Sequence, residues 1–222
     1  MQYDPALDDH GLPFNPFKSC VVPRPIGWIS TRSAEGLDNL APYSQFQMLT
    51  YDPPLVMFSA NQTPDGKRKD SVVNTEATGE FVWNMATYDL REAVNLSSTM
   101  VPPGIDEFEF TGLAKAPSVR VKPPRVAASP VQFECIYVQT VRLPGNGVMG
   151  TVDMVIGKVI MIHIDDAALT AEGRIDIPKI RPLARLGYYD YTSVESVFEL
   201  KRPGENRHQL RGMEGRPDRA TG

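Results

Sequence analysis

The segment that most restricts the fold of this chain runs from Gly145 to Ile162. Gly145, Gly147 and Gly150 have the spacing of the dinucleotide-binding fingerprint, and Asp165 follows at about the 20-residue interval of that pattern. The fingerprint works through a helix N-terminus, whose free N–H groups and dipole hold a pyrophosphate. Here the glycines open instead into Thr151, Val152, Asp153, Met154, Val155 and Ile156, and the run continues through Val159, Ile160 and Ile162. β-Branched side chains are stiff in a helix and fit a pleated strand. The glycines are therefore expected to form a hairpin turn between two strands, over residues 131–143 and 151–164, and not a Rossmann loop.

The same kind of run recurs between proline, glycine and asparagine signals, which places further strands at residues 19–22, 26–31, 43–50, 55–60 and 80–85. Helical windows are few. One covers about residues 68–77 and stops at Gly79; a second follows Thr87, with Asp89 in its first turn, to about Ser98; a third, shorter one lies between Asp166 and Gly173. The proline-rich stretch 100–125 reads as a long surface excursion, with at most a short piece of strand. Residues 1–200 form one domain on this reading, and 201–222, rich in arginine, glycine and glutamate, form a mobile tail. Many short strands with two or three helices indicate a mainly β barrel or sandwich with appended helices; doubly wound α/β architecture would need regular alternation.

Charge and composition narrow the partners. The formal net charge is −4, from 27 acidic and 23 basic residues. Spread along the chain, these charges provide no basic face for nucleic-acid phosphates. No cationic, apolar leader opens the sequence and no apolar stretch approaches the length of a membrane span, so neither secretion nor a membrane is expected. Cys20 and Cys135, both in apolar settings, read as free thiols of a reducing cytoplasm. No cysteine and histidine cluster has zinc spacing.

The densest pattern lies in the first half. Arg24, Pro25, Ile26, Gly27, Trp28, Ile29, Ser30 and Thr31 are followed by Asn39, Leu40, Ala41, Pro42, Tyr43 and Ser44, then by Asp52, Pro53, Pro54, Leu55 and Val56. Lys69, Asp70, Ser71 and Asn74 come next, with Gly79, Glu80, Phe81, Val82 and Asn84 behind them. Asp106, Glu107, Phe108 and Gly112, then Ser129, Pro130 and Glu134, Gly157, His163 and Asp165, and finally Arg185, Leu186, Gly187 and Tyr191 complete it. In this order and spacing the pattern resembles the flavin reductase-like family, which includes flavoredoxin and the reductase components of two-component flavin monooxygenases.

That resemblance, extending from about Phe17 to Val194, implies a split β-barrel of the FMN-binding type and a homodimer with FMN in a groove built by both subunits. It implies NADH or NADPH as hydride donor, with FAD an alternative flavin and a monooxygenase an expected recipient of reduced flavin. The rival reading is an FMN electron-transfer protein reduced by a protein partner. FMN needs an anion sink, donors to its ring edge and an open ring face. Ser30, Thr31, Lys69 and Ser71, the last standing where the family has threonine, are the expected phosphate ligands, helped by N–H groups at the start of the helix near Ser71. Asn39, Ala41, Pro42, Tyr43 and Ser44 suit the ring edge, and Ser59 and Asn61 the phosphate or ribityl chain. Trp28 fits the barrel core or the flavin border equally. His163 reads as a core histidine or as a catalytic group near the nicotinamide, and Arg185 as a ligand for phosphate or flavin oxygen or as a structural ion pair.

Overall fold

The computed structural model describes residues 1–7, 9–102 and 104–200. The mobile-tail expectation for 201–222 lies outside them. Helix α1 (Phe17–Cys20) leads into β1 (Arg24–Pro25), β2 (Gly27–Arg32), β3 (Asp38–Tyr43), β4 (Phe46–Tyr51) and β5 (Pro54–Asn61). Then come α2 (Asp70–Thr78), β6 (Glu80–Met85), a 3-10 turn at Tyr88–Leu90, α3 (Arg91–Leu96) and α4 (Glu107–Thr111). β7 (Lys115–Ala116), β8 (Arg125–Val126), β9 (Val131–Leu143) and β10 (Val152–Ile164) precede α5 (Ile177–Ile180), β11 (Leu183–Gly187) and β12 (Asp190–Ser193).

Seven strands form one antiparallel sheet in the order β3-β2-β6-β9-β10-β5-β4, and β1-β11-β12 form a smaller one. β9 and β10 are the expected hairpin. Gly145 and Gly150 meet at its tip, where a Cβ on Gly145 would fall 2.1 Å from the Gly150 carbonyl carbon. The sheet coils because its two edge strands, β3 and β4, are consecutive in the chain. The turn at Ser44 and Gln45 joins them, and the Ser59 N–H bonds to the Gln45 carbonyl at 2.8 Å.

The sequence reading runs residues 43–50 together as one strand and gives no strand to 38–43; the chain in fact reverses at Ser44 and Gln45. Residues 19–22 hold the end of α1 and a turn instead of a strand. Within the excursion, α4 was not expected, although Asp106 caps it by accepting the Phe108 N–H and Gly112 ends it at φ +71°.

Alternation along β2 supplies two cores. Ile29 faces the barrel interior with Phe46, Phe58, Val72, Phe81, Trp83 and Val155, while Trp28 faces the other way, to Leu40, Val94, Phe108, Val126 and Leu183. α2 closes one end of the barrel with Val72, and α3 and α4 cover the outer cluster. β10 passes close to β9 at a bulge where a Cβ on Gly157 would lie 2.2 Å from the Phe81 ring. Gly157→Ala is therefore expected to cost about 2 kcal/mol by overpacking, read as a lower denaturation midpoint.

Candidate functional site

The alternation that builds the cores also separates the hydroxyls that the sequence groups together. Ser30 shares the Trp28 face. It is fully buried, donates to the Pro124 carbonyl at 2.6 Å and accepts from Asn84 Nδ2. Thr31 points oppositely, into a buried polar network under α2. There Asn74 Nδ2 donates to Thr31 Oγ1 at 3.1 Å, and Thr31 and Ser71 both donate to Asn39 Oδ1, Ser71 at 2.8 Å. Asn39 Nδ2 in turn reaches both oxygens of Glu107 at 3.0 Å, and Glu107 also accepts the Leu40 N–H at 2.9 Å.

Burial pushes the Glu107 carboxyl above its usual range, against the pull of those donors. Tyr43 is buried over Phe58, with its hydroxyl on Ser71, and burial raises its pKa strongly. Ser30, Thr31 and the Ser71 hydroxyl therefore hold β2, β3, α2 and α4 together, and their oxygens are spent inside the protein.

The network also fixes what stays open at the β3–β4 corner. β3 is an edge strand, and its Leu40 N–H, bonded to Glu107, points away from β2. Alternation sends the backbone of Pro42 the same way. Proline offers no donor there and leaves a gap in the edge that a further strand cannot pair with. Beside that gap lie half-buried Ala41, Pro42, Ser44 and Ser59 and exposed Asn61, whose amide Nδ2 donates to the Met149 carbonyl at 2.8 Å.

α2 begins next to them, tied to β3 through Ser71 and Asn39. Its first intrahelical bonds run from Val72 and Val73 to the Lys69 carbonyl, so the N–H groups of exposed Asp70 and buried Ser71 precede the ladder at the positive end of the helix dipole. Lys69, half-buried, makes no ion pair among the described residues. Arg68, absent from the sequence expectations, anchors this helix start. Its guanidinium takes Glu76 of α2 bidentately at 2.6 and 2.7 Å and buried Asp153 of β10 at 3.0 Å. Arg68→Ala strips Asp153 of its close partner, leaving Arg142 at 3.9 Å. It is expected to lower stability by about 2 kcal/mol and to loosen the 62–69 loop, visible as faster amide exchange there.

A protein-family model described as the flavin reductase like domain matches residues 19–192. The chain belongs to the flavin reductase-like family. Among its relatives, an uncharacterised protein of Halalkalibacterium halodurans is 37% identical over 82% of this chain and 87% of that one. Among solved structures, nitrilotriacetate monooxygenase component B from Bacillus cereus superposes with a TM-score of 0.82 at 27% identity, covering 90% of this chain and 98% of that chain. Flavoredoxin of Desulfovibrio vulgaris gives 0.71 at 18% identity over 92% and 98%, a likeness of fold. The mainly β, split-barrel expectation therefore holds.

For a flavin reductase-like chain the donor set at the corner fits FMN. The start of a nine-residue helix, with two N–H groups ahead of its ladder and a neighbouring lysine, suits a phosphate dianion, and the polar rim of Ser44, Ser59 and Asn61 suits the ribityl chain and ring edge. The remaining expected residues lie elsewhere. Trp28 is core, its indole N–H on Ser97 Oγ at 2.9 Å. Arg185 lies over the Tyr191 ring on the small sheet. His163 sits near the end of β10 remote from Asp153, its Nε2 2.6 Å from Glu134 Oε1.

Proposed function

We propose that this protein is an NAD(P)H:flavin oxidoreductase that holds FMN at the β3–β4 corner, with the phosphate on the start of α2 and Lys69. The observation that carries the reading is the meeting of residues 39–44, 59–61 and 69–71, remote in sequence, at one open edge through the Ser71–Asn39 and Ser59–Gln45 bonds. Bound FMN would supply a two-electron acceptor, its N5 taking the hydride that leaves nicotinamide C4 while a proton from water completes reduced flavin. The protein's share is orientation and charge: the backbone N–H of Ser44, next to the edge that Pro42 leaves open, would favour the ring edge that becomes negative. Reduced flavin then passes to an acceptor such as a monooxygenase.

A homodimer completes the site on this reading. β5 alternates Val56, Phe58 and Ala60 inward with Leu55, Met57 and Ser59 outward, and the outward face continues through Gln47 of β4 and Met154 of β10. Met48 and Tyr51 of β4 and Ile136 and Val138 of β9 stay exposed, apolar side chains that a second copy would cover while walling the groove beside Ser59. Free Cys20 and buried Cys135 suit a reducing compartment, and among the described residues no helix is long and apolar enough to cross a membrane.

Purified protein mixed with FMN and either NADH or NADPH is expected to bleach the nicotinamide absorbance band. A yellow protein that neither donor bleaches would move the assignment to protein-mediated electron transfer.

A further inference from the structure

Beside the corner lies a second open space, a cleft of about 850 Å3 between the residues around α3 and the small sheet of β11 and β12. Three tyrosines line it, Tyr88, Tyr189 and Tyr191, all exposed, Tyr189 at 93%. Three arginines stand on two of those rings: Arg91 and Arg181 lie 4.2 and 4.7 Å from the centroid of Tyr88, and Arg185 lies 4.4 Å from that of Tyr191, which leaves Tyr189 as the open ring. Arg91 is partly engaged by Glu92, at 3.4 Å. Arg185 donates to the Tyr188 carbonyl and, among the described residues, has no carboxylate partner, so most of its fork is unspent.

Tyrosine faces stack purines, and a guanidinium fork holds phosphate oxygens in a plane. Two carboxylates, Glu92 and Glu195, share the lining. They would repel a bare phosphate cluster but suit the hydroxyls of a ribose, as acidic residues do where the 2′-position carries no phosphate. The cleft also adjoins the corner described above. α3 packs on β3, β1 packs on β4, and β1 pairs with β11 opposite Arg185.

We propose that this cleft binds an adenosine diphosphate group, carried by the nicotinamide donor. It would anchor the adenylate half while the nicotinamide reaches the flavin at the β3–β4 corner. The inference rests on the reductase reading for the identity of the donor, and the carboxylates make that donor NADH over NADPH.

The test is calorimetric titration of ADP into the FMN-loaded full chain, with NADH as competitor. Wild-type protein is expected to bind ADP and to release it to NADH. Arg185→Gln and Tyr189→Ala are each expected to weaken ADP about tenfold and to raise the KM for NADH by a similar factor, with kcat changed far less. Tyr189 is a surface side chain, so its variant keeps the fold in hand should Arg185→Gln disturb β11. Glu92→Gln combined with Glu195→Gln is expected to narrow the preference for NADH. No measurable ADP binding, or binding that neither variant alters, would overturn the proposal. Displacement by FAD but not NADH would overturn the assignment to the donor. Intact ADP binding without any NADH oxidation would count against the reductase reading and for the cleft.

Discussion

Glu134→Ala is expected to unfold this protein at a denaturant concentration far below that of the wild type, a loss of about 4 kcal/mol. Glu134 is fully buried on β9. One of its oxygens accepts the Val119 N–H at 2.8 Å and meets His163, and the other accepts the N–H groups of Arg120 and Val121 at 2.6 and 3.1 Å. The excursion across residues 117–124 is held by this carboxylate and by Glu80, which accepts the Lys122 N–H at 2.9 Å. Removing Glu134 orphans three backbone donors and leaves His163 unpaired in a single step. Glu134→Gln should fall between, since its amide nitrogen would face donors where an oxygen had accepted.

Burial alone would raise the Glu134 pKa, but the N–H groups of Val119 and Arg120 and the nearby His163 outweigh it and hold the carboxyl below its ordinary value. A folded-state pKa below the unfolded one adds stability that is present above about pH 4.3 and disappears as pH falls through the folded value. The wild type should therefore lose stability with acid more steeply than Glu134→Gln. Urea midpoints measured between pH 3 and 7 check this, and parallel curves would contradict it.

Lys69→Glu is expected to weaken FMN about 100-fold, near 2.8 kcal/mol, by removing the cation at the start of α2 and setting a carboxylate against the phosphate. Because Lys69 is half-buried and contributes its carbonyl, not its side chain, to α2, thermal stability should hardly change. Lys69→Arg should keep most of the affinity. Riboflavin, which lacks the phosphate, separates this charge effect from ring binding: its affinity should be almost the same in wild type and Lys69→Glu. Equal loss for both flavins would locate the damage at the ring and not at the phosphate.

The strands that the sequence marks best are those set between clear stop signals: residues 80–85, behind Gly79, and 131–143, between Pro130 and Pro144, match β6 and β9 at both ends. β3 escapes notice because Asp38, Asn39 and Pro42 break any apolar pattern. They are tolerated since the strand is an edge, with Asp38 paired to Arg32 and Lys115, and Asn39 to Glu107. The corner at Ser44 was legible as a motif but not as a reversal, because residues on both sides of it are bulky and apolar.

At the site, the period-two rule already forbids Ser30 and Thr31 from facing one ligand together, and applying it would have assigned them to two cores. Asp106, Glu107, Phe108 and Gly112 likewise carry a cap, a short helix and a stop. Glu107, Glu134 and Arg68 could not be ranked from sequence. Their partners lie up to 85 positions away, and only the closed sheet brings them within reach.

The proposed function depends on an anion seat at the N–H groups of Asp70 and Ser71. A crystal structure of the full chain grown with excess FMN tests it directly. The account predicts the phosphate on those two amides and Lys69, with the ring edge along Pro42 and Ser44. Density for the flavin phosphate beside Arg185 instead, with the start of α2 solvated, would contradict it.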